Sequence, residues 1–259
     1  MMSRKALGRY PCGCLERASG RRITINSSTA VTVIDSASLS RTLDAVNALA
    51  FERQKPALAE RTRIAKWIAT RQGQSGAYAE TFAGFPAELK KGILLFTGER
   101  ITSASARHIL GEEASRVVRW LGVPDPTVRT ALERANAGLM SCLARAAESP
   151  RNNPGQYCCG KCTVGLWRNL LSGGLDRQEE RLRKGVGGVL RPQRAGEGKW
   201  KVFPFWYTVL ALSEMEFPEA RQELEYAAPV LERTVKRAPG SSIHGKRRHE
   251  LAGRALALV

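Results

Sequence analysis

Three cysteines fall within five positions in "NNPGQYCCGKCTVGLWRNLL", residues 152–171. Cys159-Gly160-Lys161-Cys162 has the C-x-x-C spacing, which lets two thiolates meet one tetrahedral zinc ion or close into a redox disulfide. Cys158 adds a third sulfur. Free cysteines also serve as small apolar fillers near tight corners, so packing, metal binding and thiol redox chemistry all remain open for this cluster. His108 lies one turn before Glu112 on a helical pattern; it is a candidate fourth ligand beside Cys158, Cys159 and Cys162, although a histidine facing a carboxylate on a helix surface is the commoner arrangement. The other cluster, Cys12-Gly13-Cys14, sits in a basic leader, and His244 and His249 fall in a basic C-terminal segment.

The elements that would position these groups emerge as a repeat. Three segments share one plan: an amphipathic helix, a glycine-containing loop ending in Gly-x-aromatic, then a more apolar helix. They run "RTRIAKWIATRQGQSGAY" into "ELKKGILLFTGE", "ALERANAGLMSCLARAAESPRNNPGQY" into "TVGLWRNLLSGG", and "EERLRKGVGGVLRPQRAGEGKW" into "FPFWYTVLALSEM". Gly76-Ala77-Tyr78, Gly155-Gln156-Tyr157 and Gly198-Lys199-Trp200 form the corners. In the leading helices Val128, Leu132, Ala135, Leu139 and Leu143, or Leu182, Val186 and Val189, recur at helical spacing, with charge on the opposite face. Phe205–Leu212 is apolar all round and belongs inside. "SASARHILGEEASRVVRWLG" reads as a further helix, with Ser103 or Ser105 as N-cap, Leu110, Val117 and Leu121 inward, and Gly122 as its stop. The glycines of "KGVGGVLRP" read as close packing in a helix.

Alternating outer and inner helices with Gly-x-aromatic corners resemble the α/α-toroid of terpenoid cyclases and protein prenyltransferases over about residues 60 to 235. The resemblance implies an all-α, toroid-like array of helix pairs, short or open because fewer pairs can be counted than a full ring of that family holds. It does not bring the family's reactions with it. Terpenoid cyclases need clustered aspartates, whereas Asp35, Asp44, Asp125 and Asp176 are each isolated here. Protein prenyltransferases hold zinc with an Asp, a Cys two residues on and a His in a later inner helix. Cys158, seven residues before Gly165-Leu166, matches the Cys position, but Gln156 stands for the Asp and Pro204 for the His. Lanthipeptide cyclases, also toroids, hold zinc with a different ligand set at the same end of the ring, and their Cys-His-Gly signature is absent.

Composition bounds the remaining possibilities. With 259 residues, 43% of them apolar, the chain has ample material for a core. Much of the net charge of +17 sits at the ends, on Arg4, Lys5, Arg9, Arg17, Arg21 and Arg22, and on Arg233, Lys236, Arg237, Lys246, Arg247, Arg248 and Arg254. This suggests solvated ends with weak contact to nucleic acid or an anionic surface as the other use. The expected division is a basic, disordered leader over 1–40, a helical domain over 41–237 and a basic tail over 238–259, with neither end offering the core a long amphipathic helix. No stretch is apolar for the ~20 residues a membrane-spanning helix needs. Without a secretory signal, reduced thiols and a cytoplasmic location are expected. Trp167, Trp200, Phe205, Trp206 and Tyr207 can line an apolar cavity or pack as core. Two functions follow: zinc- or thiol-dependent chemistry on a prenyl or peptide substrate at the ring mouth, or a non-catalytic module holding a hydrophobic ligand or partner helix.

Overall fold

Helix α1 spans Leu39–Phe51 and opens on Ser38, whose hydroxyl accepts from the Arg41 amide at 3.2 Å. The structure, a computed structural model, describes residues 33–147 and 155–259; most of the leader, with Cys12 and Cys14, lies outside them. After α1 come α2 (Leu58–Ala69), α3 (Pro86–Lys91), a two-stranded hairpin of β1 (Ile93–Leu94) and β2 (Arg100–Ile101), α4 (Ser105–Leu121), α5 (Pro126–Ala147) and α6 (Gly160–Leu171). Then follow α7 (Gln178–Lys184), a π-helical turn at Gly185–Leu190, α8 (Phe205–Ser213), α9 (Pro218–Val235) and α10 (Ile243–Leu256). The fold is therefore all-α apart from one short hairpin among the described residues. None of the helices described is long and apolar enough to cross a membrane.

Helix α4 is the centre of the arrangement. It packs against α1, α2, α5 and α6, while α6 also meets α7 and α8, and α8 meets α9 and α10. Burial on several sides explains why α4, α6 and α8 carry few surface residues: Ile109, Leu110, Val117, Leu121, Leu166, Leu170, Val209 and Leu212 are all buried. Gly122 ends α4 in the left-handed region at φ 57°. Its start differs from expectation, because Ala104 rather than Ser103 or Ser105 holds the N-cap position. The Ser105 hydroxyl lies 3.4 Å from Cys159 Sγ, and the Ser103 carbonyl accepts from the Ala106 amide.

Two further expectations are corrected. The trailing helix expected in "ELKKGILLFTGE" breaks at Gly92, and the chain turns back at Gly98, both at positive φ, so Ile93, Leu95, Phe96 and Ile101 reach the core from a hairpin. The C-terminal segment does supply an amphipathic helix: Leu251, Ala252 and Ala255 of α10 are buried against α8 and α9. Its arginines are spent within the fold, Arg247 on Asp44 of α1 (2.7 and 3.0 Å), Arg248 on the Thr97 carbonyl, and Arg254 on the Phe51 carbonyl.

A charged network crosses the core. Glu113 of α4 accepts from Arg116, from Arg168 of α6, from Tyr207 Oη of α8 at 2.6 Å and from Asn47 of α1 at 3.3 Å, while Arg168 also holds Glu214 through two bonds of 2.9 and 2.8 Å. Four helices are tied through one carboxylate, and removing Glu113 leaves the buried Arg116 and Arg168 without the carboxylate they share.

Candidate metal centre

The second Gly-x-aromatic corner delivers the cysteines. Gly155 is pressed against Gly185 of the π-helical turn so closely that a Cβ on either would overlap the other's backbone, which fixes where the chain re-enters the core. Trp167 Nε1 donates to the Gly155 carbonyl, and the Tyr157 amide donates to Thr163 Oγ1, both at 2.9 Å, so the corner is strapped onto α6. The close packing expected of the "KGVGGV" glycines is thus seen at Gly185 but not at Gly187, where a Cβ would meet open space. Cys159 then takes the N-cap position of α6 in an extended conformation, and Cys162 enters the first helical turn.

The sequence candidates come together here. Cys158 Sγ lies 3.2 Å from Nδ1 of His108, and Cys159 Sγ lies 3.5 Å from Cys162 Sγ. One donor atom each from His108, Cys158 and Cys162 fall within 4.8 Å of one another, a group that can hold a metal ion. Cys159 is the member of the cluster outside that mutually close trio. Cys158 is exposed, Cys159 half-buried and Cys162 buried, so the group opens to solvent on one side.

Two aromatic residues from different corners enclose His108. Its ring centroid is 3.7 Å from that of Tyr78 and 5.5 Å from that of Tyr157, and the two tyrosines meet edge to face. The corners were legible in the sequence, but not that two of them converge on one imidazole. Burial lowers the pKa of His108 and favours the neutral imidazole a metal requires. Among the thiols, hydrogen bonding with Cys158 and Cys162 holds the Cys159 pKa down, hydrogen bonding with Cys159 pushes Cys158 up to about 11, and hydrogen bonding with Cys158 and Cys159 raises Cys162.

Glu112, one turn inward from His108, is not the surface partner expected. It is fully buried, and burial pushes its carboxyl up to about 8. Asn169 Nδ2 donates to its Oε2 at 2.5 Å, whereas Oε1 has no hydrogen-bond partner among the described residues, and neither has the buried Tyr157 hydroxyl. The adjacent pair Glu112-Glu113 inside "HILGEEASRVV", among apolar and small residues, was the available signal.

Of the five candidate cavity aromatics, Trp200, Phe205 and Trp206 pack on one another, whereas Trp167 and Tyr207 have other partners. Trp167 is buried and stacks on Phe203; Trp200 donates its indole N–H to Glu223 at 3.0 Å and stacks on Phe205, which meets Trp206 edge to face; Tyr207 is held by Glu113. A cavity of about 540 Å³ lies elsewhere, walled by Phe51, Phe96, Trp120, Leu210 and Leu251 with Arg53, Arg116, Arg168 and Arg254. None of the five lines it. No protein-family model, curated protein or solved structure matches this chain.

Proposed function

We propose that His108, Cys158 and Cys162 bind zinc and that the protein uses this centre for thiol-directed chemistry on a prenyl or peptide substrate. The observation that carries the reading is the mutual approach of the three donor atoms within 4.8 Å. Zinc–sulfur bonds of about 2.3 Å and zinc–nitrogen bonds of about 2.0–2.1 Å in a tetrahedron put sulfurs about 3.8 Å apart and sulfur and nitrogen about 3.6 Å apart. Small side-chain rotations therefore suffice. Two thiolates and an imidazole suit zinc far better than the oxygen-seeking magnesium or calcium. Three protein donors leave one position for water or a substrate atom, as in catalytic rather than structural sites. Zinc bound there would activate a coordinated thiol or water by lowering its pKa. The chain's own part is to hold His108 between Tyr78 and Tyr157, and to keep a proton on Glu112 on the same face of α4 at neutral pH.

The architecture we propose for this centre is a ring of inner helices α1, α4, α6, α8 and α10 with α2, α5, α7 and α9 outside. Support comes from the succession of neighbours α1–α4, α4–α6, α6–α8 and α8–α10, and from the bonds of Arg247 to Asp44 and of Arg254 to Phe51 that link α10 back to α1. Elemental analysis of untagged, reduced protein tests the metal. About one zinc per chain is expected, retained in a Cys12→Ser/Cys14→Ser variant and lost in Cys158→Ser/Cys162→Ser. Metal far below one equivalent overturns the reading.

One observation favours a second reading, a module that holds a hydrophobic ligand without catalysis. The cavity of about 540 Å³ is large enough for a drug-sized molecule and is lined by both apolar side chains and arginines. Saturable quenching of Trp120 by a medium-chain fatty acid, unchanged in Cys158→Ser/Cys162→Ser and lost in Leu210→Trp, would support it; no saturable binding would exclude it.

A further inference from the structure

Cys159 is left over from the three-donor group, yet its sulfur stands 3.5 Å from that of Cys162. The two residues are three apart, one capping α6 and the other in its first turn, so both sulfurs face the same side of the helix start. Closing a disulfide from this separation needs a sulfur movement of about 1.5 Å, within the range of side-chain rotation. We propose that Cys159 and Cys162 form a dithiol that exchanges with a small disulfide such as oxidised glutathione, and that closing it withdraws Cys162 from the metal group. The withdrawal rests on the zinc reading above; the exchange does not.

Exposure sets the order of events. Half-buried Cys159 meets the incoming disulfide, and buried Cys162 is placed to reach Cys159. The Cys159 sulfur attacks one sulfur of the small disulfide, breaking its S–S bond, forming a mixed disulfide and releasing the first thiolate. The Cys162 sulfur then attacks Cys159 Sγ and displaces the second. In the metal-free protein two thiols lose two electrons and two protons and the small disulfide gains both as two free thiols; with zinc bound, Cys162 is already a thiolate, so it gives up the metal ion in place of a proton and the second released thiolate takes its proton from solvent. What remains beside the metal is the pair Cys158 and His108, 3.2 Å apart. Two donors hold zinc much less tightly than three, so oxidation empties the site and a reducing thiol restores it.

The test uses the full chain carrying Cys12→Ser and Cys14→Ser, reduced, loaded with zinc and freed of excess. Oxidised glutathione is titrated in without oxygen while a chromogenic chelator reports released zinc, and alkylation with peptide mapping reports thiols. Trypsin cuts after Lys161, so a bridge to Cys162 appears as two joined peptides, and fragment ions that place the alkylated cysteine at 158 or 159 tell a Cys159–Cys162 bridge from a Cys158–Cys162 one. The expected result is that bridge, about one zinc released in step with it, and zinc retained through the same titration in Cys159→Ser. The proposal is overturned if Cys159 and Cys162 stay alkylatable, if Cys158 pairs instead, or if Cys159→Ser loses zinc as readily as its parent. Failure of the zinc reading looks different: the reduced protein takes up no zinc, which removes the withdrawal step, while peptide mapping still decides the exchange.

Discussion

Replacing Glu112 by Gln should stabilise the protein, and by an amount that grows with pH. Glu112 is fully buried, receives one hydrogen bond from Asn169, and is faced by the Arg119 guanidinium, the Glu113 carboxylate and the Tyr157 phenol. Burial outweighs the help from Asn169 and Arg119 and pushes its pKa from 4.5 up to about 8. A carboxyl raised in this way favours the folded state fully below its unfolded pKa, and that contribution is lost as pH climbs toward the folded one. Between about pH 4.5 and 8 the unfolded chain releases a proton that the folded chain retains, which costs about 1.4 kcal/mol of stability per pH unit. Gln keeps the shape and can still accept from Asn169, but does not titrate. Urea unfolding of parent and Glu112→Gln, reduced and metal-free, at pH 5, 6.5 and 8 should therefore show the variant gaining about 3 kcal/mol relative to the parent between the first and last pH. Other groups titrate in both proteins and cancel in the difference. A difference that stays flat within about 0.5 kcal/mol would show that Glu112 is ionised at neutral pH and held by Arg119, and the reasoning would fail.

The neighbouring carboxyl should behave oppositely. Arg116 and Arg168 hold Glu113 down at about 2 despite its burial, so its contribution is present above about pH 4.5 and is lost as pH falls toward 2; Glu113→Gln should cost about 3–5 kcal/mol at pH 7 and much less at pH 3 by the same urea measurement. Truncation after Gly240, which removes α10, should lower the thermal midpoint sharply or leave the chain unfolded, and Leu251→Ala alone should cost about 2–4 kcal/mol, since Leu251 is buried between α10 and its neighbours. A melting temperature unchanged by either would show that the segment is dispensable. Gly185→Ala should cost about 1–3 kcal/mol or more by denaturant unfolding, because a Cβ there would stand 2.5 Å from Trp167 Nε1 and crowd the Gly155 carbonyl.

What could be read from the sequence depended on whether a residue's role is set by its own spacing or by a distant partner. The helical period and the apolar run of α8 report burial directly: Val128, Ala135, Leu139, Leu143, Tyr207, Val209, Leu210 and Leu212 are buried, while Leu132, Phe205 and Trp206 are half-buried against the core. The run "GILLFTG" is ambiguous by comparison, since a short apolar stretch suits a buried helix as well as a strand; only the positive φ adopted at Gly92 and Gly98 makes it a hairpin. The arginines of α10 looked like solvated charge because their partners are a distant carboxylate, Asp44, and main-chain carbonyls, Phe51 and Thr97 among them, and neither leaves a trace in a local side-chain pattern. The same logic applies to the centre. Cys158, Cys159, Cys162 and His108 were recognisable as donors by type, and fifty residues separate His108 from Cys158, so their meeting depends on α4 lying along α6. That contact is secured by groups the apolar pattern passes over: Arg168 and Asn169, two polar residues in the apolar second half of α6, reach Glu113 and Glu112 of α4. If these bonds set the register of α6 against α4, then Arg168→Met, which fills the space without the charge, should retain the helical circular dichroism yet weaken zinc uptake at His108, Cys158 and Cys162. Unchanged zinc affinity in a folded Arg168→Met protein would mean that the corner at Gly155 and Trp167 positions the cysteines by itself.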